Sequence, residues 1–122
     1  MIALENRLDK SRKVVILSRM NVTDAASALS ALGHEARLEI FRLLVRAEPD
    51  GLNIGEIGRL LGAPPSTLAH HLGALVRAGL VSQEKVGREV INHARTEAMR
   101  RVFAYVEEEC CRGVSKARGD AA

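Results

Sequence analysis

Aromatic side chains are scarce in this chain, which has two Phe, one Tyr and no Trp among 122 residues. Proteins that bind single-stranded nucleic acid stack bases on aromatic side chains, so this scarcity argues against that class. No hydrophobic run approaches the roughly 20 residues of a membrane span. The apolar stretch at 14–17 is also shorter than the roughly 7–15 residues of a signal-peptide core. The sequence therefore predicts a cytoplasmic protein that does not enter a membrane.

Cysteine is almost absent as well, since Cys110 and Cys111 are the only two and stand side by side. In a reducing compartment, two cysteines are more typical of ligands or redox groups than of a structural disulfide. Adjacent cysteines also form a poor disulfide because the ring that they close is strained. The pair is therefore a candidate site for a thiophilic ion.

The positive charge is confined to one end of the chain. Of the net +3, residues 1–19 carry five basic and two acidic side chains, and the remainder carries 13 of each. The remainder cannot bind DNA through bulk charge and must place its Lys and Arg on one face. Residues 1–19 are interpreted as a basic extension, either an arm on DNA or an extra dimerisation helix. Met20 as the true initiator is a third alternative.

The sequence of residues 20–112 predicts one mainly α-helical domain with a small β-hairpin, and residues 113–122 are expected to form a flexible tail. Thr23 is expected to cap a first helix that reaches Gly33, and a second helix covers 35–47. Asn53 caps a short helix ending at Gly62, and the next helix begins at Pro65 or Ser66 and stops at Gly79. The apolar positions at helical spacing are Ala25, Leu29, Leu32, Leu38, Phe41, Leu44, Val45, Leu68, Leu72, Leu75 and Val76.

A β-hairpin and a last helix complete the domain. Strands are expected at 80–86 and 89–94, joined by a two-residue turn at Gly87-Arg88, with Leu52 as one more short strand. Thr96 is expected to cap a helix that runs into Cys111. This helix contains the apolar residues Met99, Val102, Phe103 and Val106.

Two short helices joined by a glycine-containing turn match the helix-turn-helix pattern, whose second helix enters the major groove. The residues expected to face bases are Ser66, Thr67, Ala69 and His70, because hydroxyl, methyl and imidazole groups suit base edges and phosphates. The hairpin is interpreted as a wing, with Arg88 at its tip reaching the DNA backbone or minor groove. Arg59, Arg77 and Lys85 are candidates for phosphate contacts. His71 is expected to face inward, and Ser66 serves equally well as a helix cap.

From Asn21 to about Arg112, the chain resembles the ArsR/SmtB family of winged-helix repressors. The resemblance rests on the segment Ala31-Leu32-Gly33-His34-Glu35-Ala36-Arg37-Leu38-Glu39-Ile40, on Leu68-Ala69-His70-His71-Leu72 and on Ala78-Gly79-Leu80-Val81. It implies a winged helix-turn-helix homodimer built through the first and last helices. It also implies repression of an operon on double-stranded operator DNA, released by an effector. At Arg37 it implies a structural ion pair rather than a contact with DNA.

The effector differs between members of that family. Their thiol site before the recognition helix corresponds to Asn53 and Gly55, so it is missing, and the last helix lacks the Asp and His pairs of their zinc site. His93 stands alone and is interpreted as structural. Similar members with a cysteine pair at this place sense trivalent arsenic, so Cys110 and Cys111 are expected to bind arsenite or methylarsenite. Soft thiolates select such ions. Glu107, Glu108 and Glu109 are expected to raise the thiol pKa values.

The sequence leaves three alternative interpretations of the thiol pair and the winged helix open. The same fold could respond to oxidants or sulfane sulfur through the two thiols, although ring strain argues against a simple disulfide. The cysteines could be small residues in a dimer interface. The winged helix could also bind protein instead of DNA, but the Gly87-Arg88 tip argues against this. No spacing of a nucleophile and a base indicates an enzyme.

Overall fold

The computed structural model describes residues 20–115, and it confirms five helices and one hairpin in the predicted order. The elements are α1 (Val22–Leu32), α2 (Glu35–Ala47), α3 (Ile54–Leu61), α4 (Pro65–Arg77), β1 (Val81–Val86), β2 (Glu89–Ala94) and α5 (Thr96–Glu107). The predictions for residues 1–19 and for the tail beyond 115 lie outside the described residues. Within 20–115, no helix has the length and apolar character needed to cross a membrane.

Two helices begin differently from the prediction. Asn21 caps α1, since its side-chain oxygen accepts from the Asp24 amide at 2.8 Å, whereas Thr23 already lies inside the helix. Thr96 is likewise the first helical residue of α5, and Arg95 precedes it without a side-chain cap. A cap needs extended backbone so that its side chain can turn back to the first amides. Asn21 has that backbone, with φ −110° and ψ 171°.

The helix-turn-helix consists of α3 and α4, and its local signals act as the sequence predicted. Asn53 and Glu56 form a capping box, in which each side chain accepts from the other residue's amide at 2.8 Å. Gly62 ends α3 in the left-handed conformation, with φ +69°. Pro64 then holds extended backbone and Pro65 occupies the first helical position, where the missing amide hydrogen costs nothing. The angle between the two helices is therefore set within a few residues.

The core lies between α2, α4 and the base of the hairpin. Its most deeply buried side chains are Ile40, Leu44, Ile57, Leu68, Leu75, Leu80 and Val102. Several apolar positions at helical spacing are exposed, among them Leu29 at 39%, Leu38 at 43%, Phe103 at 47% and Val106 at 60%. They occupy faces of α1, α2 and α5 that no described residue covers. We call Leu29, Leu38, Phe103 and Val106 the outer apolar face.

The hairpin pairs β1 and β2 as antiparallel strands from Val81 opposite Ala94 to Val86 opposite Glu89. Gly87 takes φ +64° at the turn, a conformation that glycine adopts without steric cost. Leu52 forms the predicted extra bridge, pairing with Asn92. This bridge fixes the start of α3 to the hairpin, so it holds the helix-turn-helix in a defined position relative to the wing.

Candidate DNA-reading surface and thiol pair

The N-terminal half of α4 presents the predicted base-facing residues to solvent. Ser66, Thr67, Ala69 and His70 are all exposed, while Leu68 between them is buried. No side chain caps the start of α4, so Ser66 does not use its hydroxyl as a helix cap. Its hydroxyl and the first amides of α4 are thus available to an acceptor. A helix N-terminus of this kind favours phosphate oxygens.

A groove of about 580 Å³ separates α4 from the hairpin and joins the two parts of the predicted interface. Ala69 lies on its helical wall, and Arg88 lies on its wing wall. Lys85 lies opposite Val90 in the hairpin and on the same face as Gln83. Val90 and Gln83 both line the groove. The structure therefore brings Ala69, Arg88 and the Lys85 face of the wing to one side of the molecule.

The two remaining phosphate candidates lie apart from this groove. Arg59 is exposed on α3, and its Nη1 atom lies near Gly55, 3.9 Å from where a β-carbon would stand. Arg77 is exposed at the end of α4, and its Nη1 atom folds back to within 3.3 Å of the same point on Gly73. Arg77 therefore extends the α4 surface, whereas Arg59 belongs to a separate part of the molecule.

Asn92 helps to hold the predicted DNA-binding surface together, and the sequence analysis did not identify it. It is the buried polar residue of the hairpin, at 1% exposure. Its amide nitrogen donates to the Leu52 carbonyl at 3.1 Å, and its amide oxygen accepts from Gln83 at 2.8 Å. Strand alternation could have found it, because Asn92 shares its face of β2 with the groove-lining Val90 and the buried Ala94.

Glu89 was missed too, and it places a carboxylate in the groove beside Arg88. The side-chain nitrogen of Asn53 donates to it at 3.3 Å. Its negative charge disfavours a phosphate close to this point. Backbone contacts by the wing are therefore expected from the Arg88 tip and not from the floor of the groove.

His71 turns inward as expected, but it meets other rings instead of a hydrogen-bond partner. Its ring lies 4.8 Å from the His34 ring and 5.5 Å from the His70 ring, measured between centroids. Within 20–115, its buried Nδ1 atom has no partner. Burial, followed by the charges of His34, Arg37 and His70, lowers the pKa of His71 below its ordinary value. Positive groups therefore gather on this flank of α4.

Two further residues have structural roles, one as expected and one not. His93 is held between carboxylates, with Nδ1 3.1 Å from Glu48 and Nε2 3.2 Å from Glu84, which supports its structural reading. Within residues 20–115, Arg37 does not form the ion pair that the resemblance implied. Instead its Nε donates to the Ala31 carbonyl at 2.8 Å, because that carbonyl lies near the end of α1 and lacks a helical partner.

The cysteine pair lies beyond the last helix and not within it. The helix α5 ends at Glu107, the Cys110 amide donates to the Glu107 carbonyl at 2.8 Å, and the backbone turns at Cys111 with φ +65°. Adjacent side chains on a helix diverge by about 100°. The turn removes that divergence, so the two sulfurs lie 3.2 Å apart, and both cysteines are exposed.

The pKa of the Cys110 thiol is raised, as predicted, but the prediction named the wrong cause. The hydrogen bond with the Cys111 thiol raises it most, followed by a loss of hydration. The glutamates before the pair are exposed, and solvent screens their charges. Residues 20–115 hold no group of three His, Cys, Asp or Glu side chains arranged to bind a metal ion. Among the described residues, an ion held by both sulfurs would therefore have two protein ligands.

Comparison with known proteins places these features in context. Residues 32–84 match the model of a helix-turn-helix domain family. An HTH-type transcriptional regulator of Methanocaldococcus jannaschii is 33% identical over 90 residues, which are 74% of this chain and 22% of the relative. The chain thus spans about a fifth of the length of that relative.

Solved structures share the whole architecture. An ArsR-like transcriptional regulator from Rhodococcus sp. RHA1 is 29% identical, with a TM-score of 0.62 over 70% of this chain and 78% of the other. The homodimeric winged helix-turn-helix DNA-binding domain of a Mycobacterium bovis protein is 23% identical, with a TM-score of 0.59 over 86% and 88%. The second likeness concerns the fold alone. The predicted winged helix-turn-helix is thereby confirmed.

Proposed function

We propose that this chain, which is similar to ArsR-like winged helix-turn-helix transcriptional regulators, is a homodimeric repressor of an operon. It binds double-stranded operator DNA and releases it when trivalent arsenic, as arsenite or methylarsenite, binds Cys110 and Cys111. The observation that supports DNA binding is the shared groove between Ala69 on the recognition helix and Arg88 on the wing. The observation that supports the effector is the pair of exposed sulfurs 3.2 Å apart.

The reading of DNA is assigned to α4 and the wing. Ser66 and Thr67 offer hydroxyls, Ala69 offers a methyl group for thymine, and His70 offers a ring N–H for a purine or a phosphate. Arg88 and Lys85 approach the backbone from the wing. Since the described domain has no excess of basic over acidic groups, these positioned contacts must supply the affinity.

Dimerisation is assigned to the outer apolar face. Leu29 on α1 and Phe103 and Val106 on α5 are large apolar side chains left in solvent by the single chain. Exposed apolar patches of this kind mark interfaces. Two copies joined through α1 and α5 would present two recognition helices, as half-sites about 34 Å apart require.

The spacing of the sulfurs favours a pyramidal ion with two protein ligands. With a metal–sulfur bond of about 2.3 Å, as in zinc thiolates, sulfurs 3.2 Å apart subtend about 90° at a shared ion. This angle is narrower than the tetrahedral angle of zinc and suits trivalent arsenic. Each thiol displaces one hydroxyl of arsenous or methylarsonous acid as water, so two As–O bonds break, two S–As bonds form and both thiol protons leave in the waters. A third hydroxyl or a methyl group completes the site.

The raised pKa of Cys110 is compatible with this chemistry. Since that thiol stays protonated at neutral pH, it reacts slowly with oxidants and alkylating agents that need a thiolate. In the exchange with neutral arsenous acid, the departing hydroxyl accepts the thiol proton and leaves as water. The alternative, a redox or sulfur-responsive repressor, depends on thiolate attack and is therefore less favoured by this environment.

The DNA-binding assignment is tested with Thr67→Ala and Arg88→Ala on DNA from the protein's own promoter and on an unrelated duplex. Thr67→Ala should weaken promoter binding by about 1–3 kcal/mol while sparing the unrelated duplex. Arg88→Ala should weaken both duplexes alike, because a backbone contact carries no sequence information. Arg46→Ala on the exposed side of α2 is the matched control and should bind as the wild type. If both test variants bind promoter DNA like the wild type, the winged helix does not read DNA in this way.

The arsenic assignment is tested by native mass spectrometry of the protein with methylarsenite. One arsenic per protomer should be found, with a mass equal to the added acid less two waters. Cys110→Ser/Cys111→Ser should bind none, and Ser115→Ala, outside the pair, should bind as the wild type. Oxidant-treated protein provides the rival arm. A mass loss of two hydrogens that forms readily, together with no arsenic adduct, would favour the redox alternative.

A further inference from the structure

A second polar cavity lies on the other flank of α4, away from the wing. It has a volume of about 220 Å³ and lies where α1, the start of α2 and the end of α4 meet. Its polar lining consists of Ser27, Ser30, Arg37 and Arg77, and small alanines form the rest. We call it the arginine notch. Of the residues lining it, none is acidic.

We propose that the arginine notch binds a phosphate group of the DNA backbone, next to the bases read by α4. This inference rests on the proposed DNA-binding function and adds α1 and α2 to the interface. The shared chemistry is a phosphate monoanion between two guanidinium groups and two hydroxyls. A free inorganic phosphate could use the same donors, so the test separates the two sources.

The two guanidinium groups have no competing carboxylate. Arg37 donates through its Nε to the Ala31 carbonyl at 2.8 Å, which orients the planar group. Among the described residues, its Nη donors have no protein partner. Across residues 20–115, neither Arg37 nor Arg77 has a carboxylate within salt-bridge distance. Arginine in a fixed fork is suited to phosphate recognition. A single water needs about 10–15 Å³, so the cavity has room for a phosphate and its waters.

One wall of the notch continues the stripe of α4 that carries two of the predicted base-facing residues. Ser66, His70, Gly73 and Arg77 follow at helical spacing and therefore form one stripe. Arg77 also folds back along this stripe, since its Nη1 lies 3.3 Å from where a β-carbon of Gly73 would stand. A protein that contacts bases with Ser66 and His70 brings Arg77 toward the flanking phosphates.

Ser27 and Ser30 complete the notch from α1. Both are exposed and lie three residues apart, so their hydroxyls face the same side of the helix. Burial and then nearby charges, among them that of Arg37, lower the pKa of His71 on this flank. Arg37 also lines the notch, and a bound phosphate would offset its positive charge.

The test compares the salt dependence of duplex binding for wild type, Arg37→Gln, Arg77→Gln and Arg37→Lys. Each lost phosphate contact should lower the log–log slope by about 0.9 and weaken promoter and unrelated DNA by the same factor. Arg37→Lys should keep the wild-type slope, because it retains the charge. Arg46→Gln is the matched control, since it lies on α2 nine residues from Arg37 and lines a different groove with Phe103. Its slope should not change.

The variants Ser27→Ala and Ser30→Ala distinguish phosphate binding in the notch from a purely structural role of Arg37. They leave both arginines in place, and each should weaken DNA binding severalfold. Thermal unfolding of every variant shows whether it is folded. Folded Arg37→Gln and Arg77→Gln proteins with the wild-type slope would overturn the notch while leaving the proposed function standing. A wild type that binds no duplex at any salt would overturn both.

Free phosphate is tested by amide NMR shifts of Ser27 and Ser30 during titration with inorganic phosphate, with chloride at equal ionic strength as the reference. We expect weak shifts without saturation below the ionic strengths that dissociate DNA. Tight saturation that is lost in Arg37→Gln, together with an unchanged salt slope, would assign the notch to free phosphate and overturn the DNA assignment.

Discussion

Asn92 ties the wing to the start of the helix-turn-helix. Its side chain bonds both to the Leu52 carbonyl and to Gln83, and its backbone pairs with Leu52 in both directions. Leu52 directly precedes the capping box that starts α3. This buried amide therefore helps to orient the helix-turn-helix relative to the wing.

Asn92→Ala should lower the free energy of unfolding by about 1–3 kcal/mol, because it leaves the Gln83 amide and the Leu52 carbonyl short of buried partners. Urea denaturation followed by circular dichroism measures this. Ser82→Ala, at an exposed position on the opposite face of the hairpin, should stay within about 0.5 kcal/mol of the wild type. A loss of less than about 0.5 kcal/mol in Asn92→Ala would mean that backbone pairing alone holds the wing.

Single residues also show what the sequence can and cannot indicate. The exposure of Ser66, Thr67 and His70 followed from residue type and helical spacing. The meeting of His34 with His71, and of Arg37 with Arg77 in one notch, depends on how α1, α2 and α4 pack. Contacts between residues more than 30 positions apart carry no local signal, so these could not be predicted from one sequence.

At the scale of elements, helix ends with strong local signals were predicted and those without were not. The bounds of α2 and α3 and the Gly87-Arg88 turn agree with prediction because caps, glycines and prolines fix them. The last helix has no glycine until Gly113, and the glutamates before the cysteines favour helix. The sequence therefore placed the helix end at Cys111, four residues beyond the observed end at Glu107.

That difference at the end of α5 changes the chemistry of the thiols. In a continuous helix, the two sulfurs would point in different directions, and an ion would have to unwind the last turn before both could bind. The observed turn already brings them together, so ion binding loses less conformational entropy in ordering the two thiols. The same turn moves the site out of the helix and into solvent.

At the scale of the whole molecule, the exposed apolar positions show how helical spacing alone leaves the partner of an apolar face open. Leu29, Leu38, Phe103 and Val106 follow helical spacing, which indicates burial but not by what. In the single chain they form the outer apolar face. In the proposed dimer, α1 and α5 bury against a second copy, so the same pattern specifies an interface instead of a monomer core.

The proposed switch connects this interface to the thiols through α5. Arsenic bound at Cys110 and Cys111 fixes the backbone just beyond Glu107, at the end of a helix that carries Phe103 and Val106. A shift of α5 changes the angle between protomers and misplaces both recognition helices on half-sites about 34 Å apart. Coupling energies of about 1–3 kcal/mol are typical for such linkage, so release should be about fivefold to 150-fold.

The most direct test of this account is fluorescence anisotropy of the protein on its own promoter DNA, titrated with arsenite and with methylarsenite. The wild type should lose affinity by about fivefold to 150-fold, and Cys110→Ser/Cys111→Ser should bind DNA with unchanged affinity at every concentration. The stronger of the two compounds identifies the third ligand as a hydroxyl or a methyl group. Tight DNA binding that neither compound weakens would contradict arsenic as the effector, and equal release in the double serine variant would contradict the thiol pair as its site.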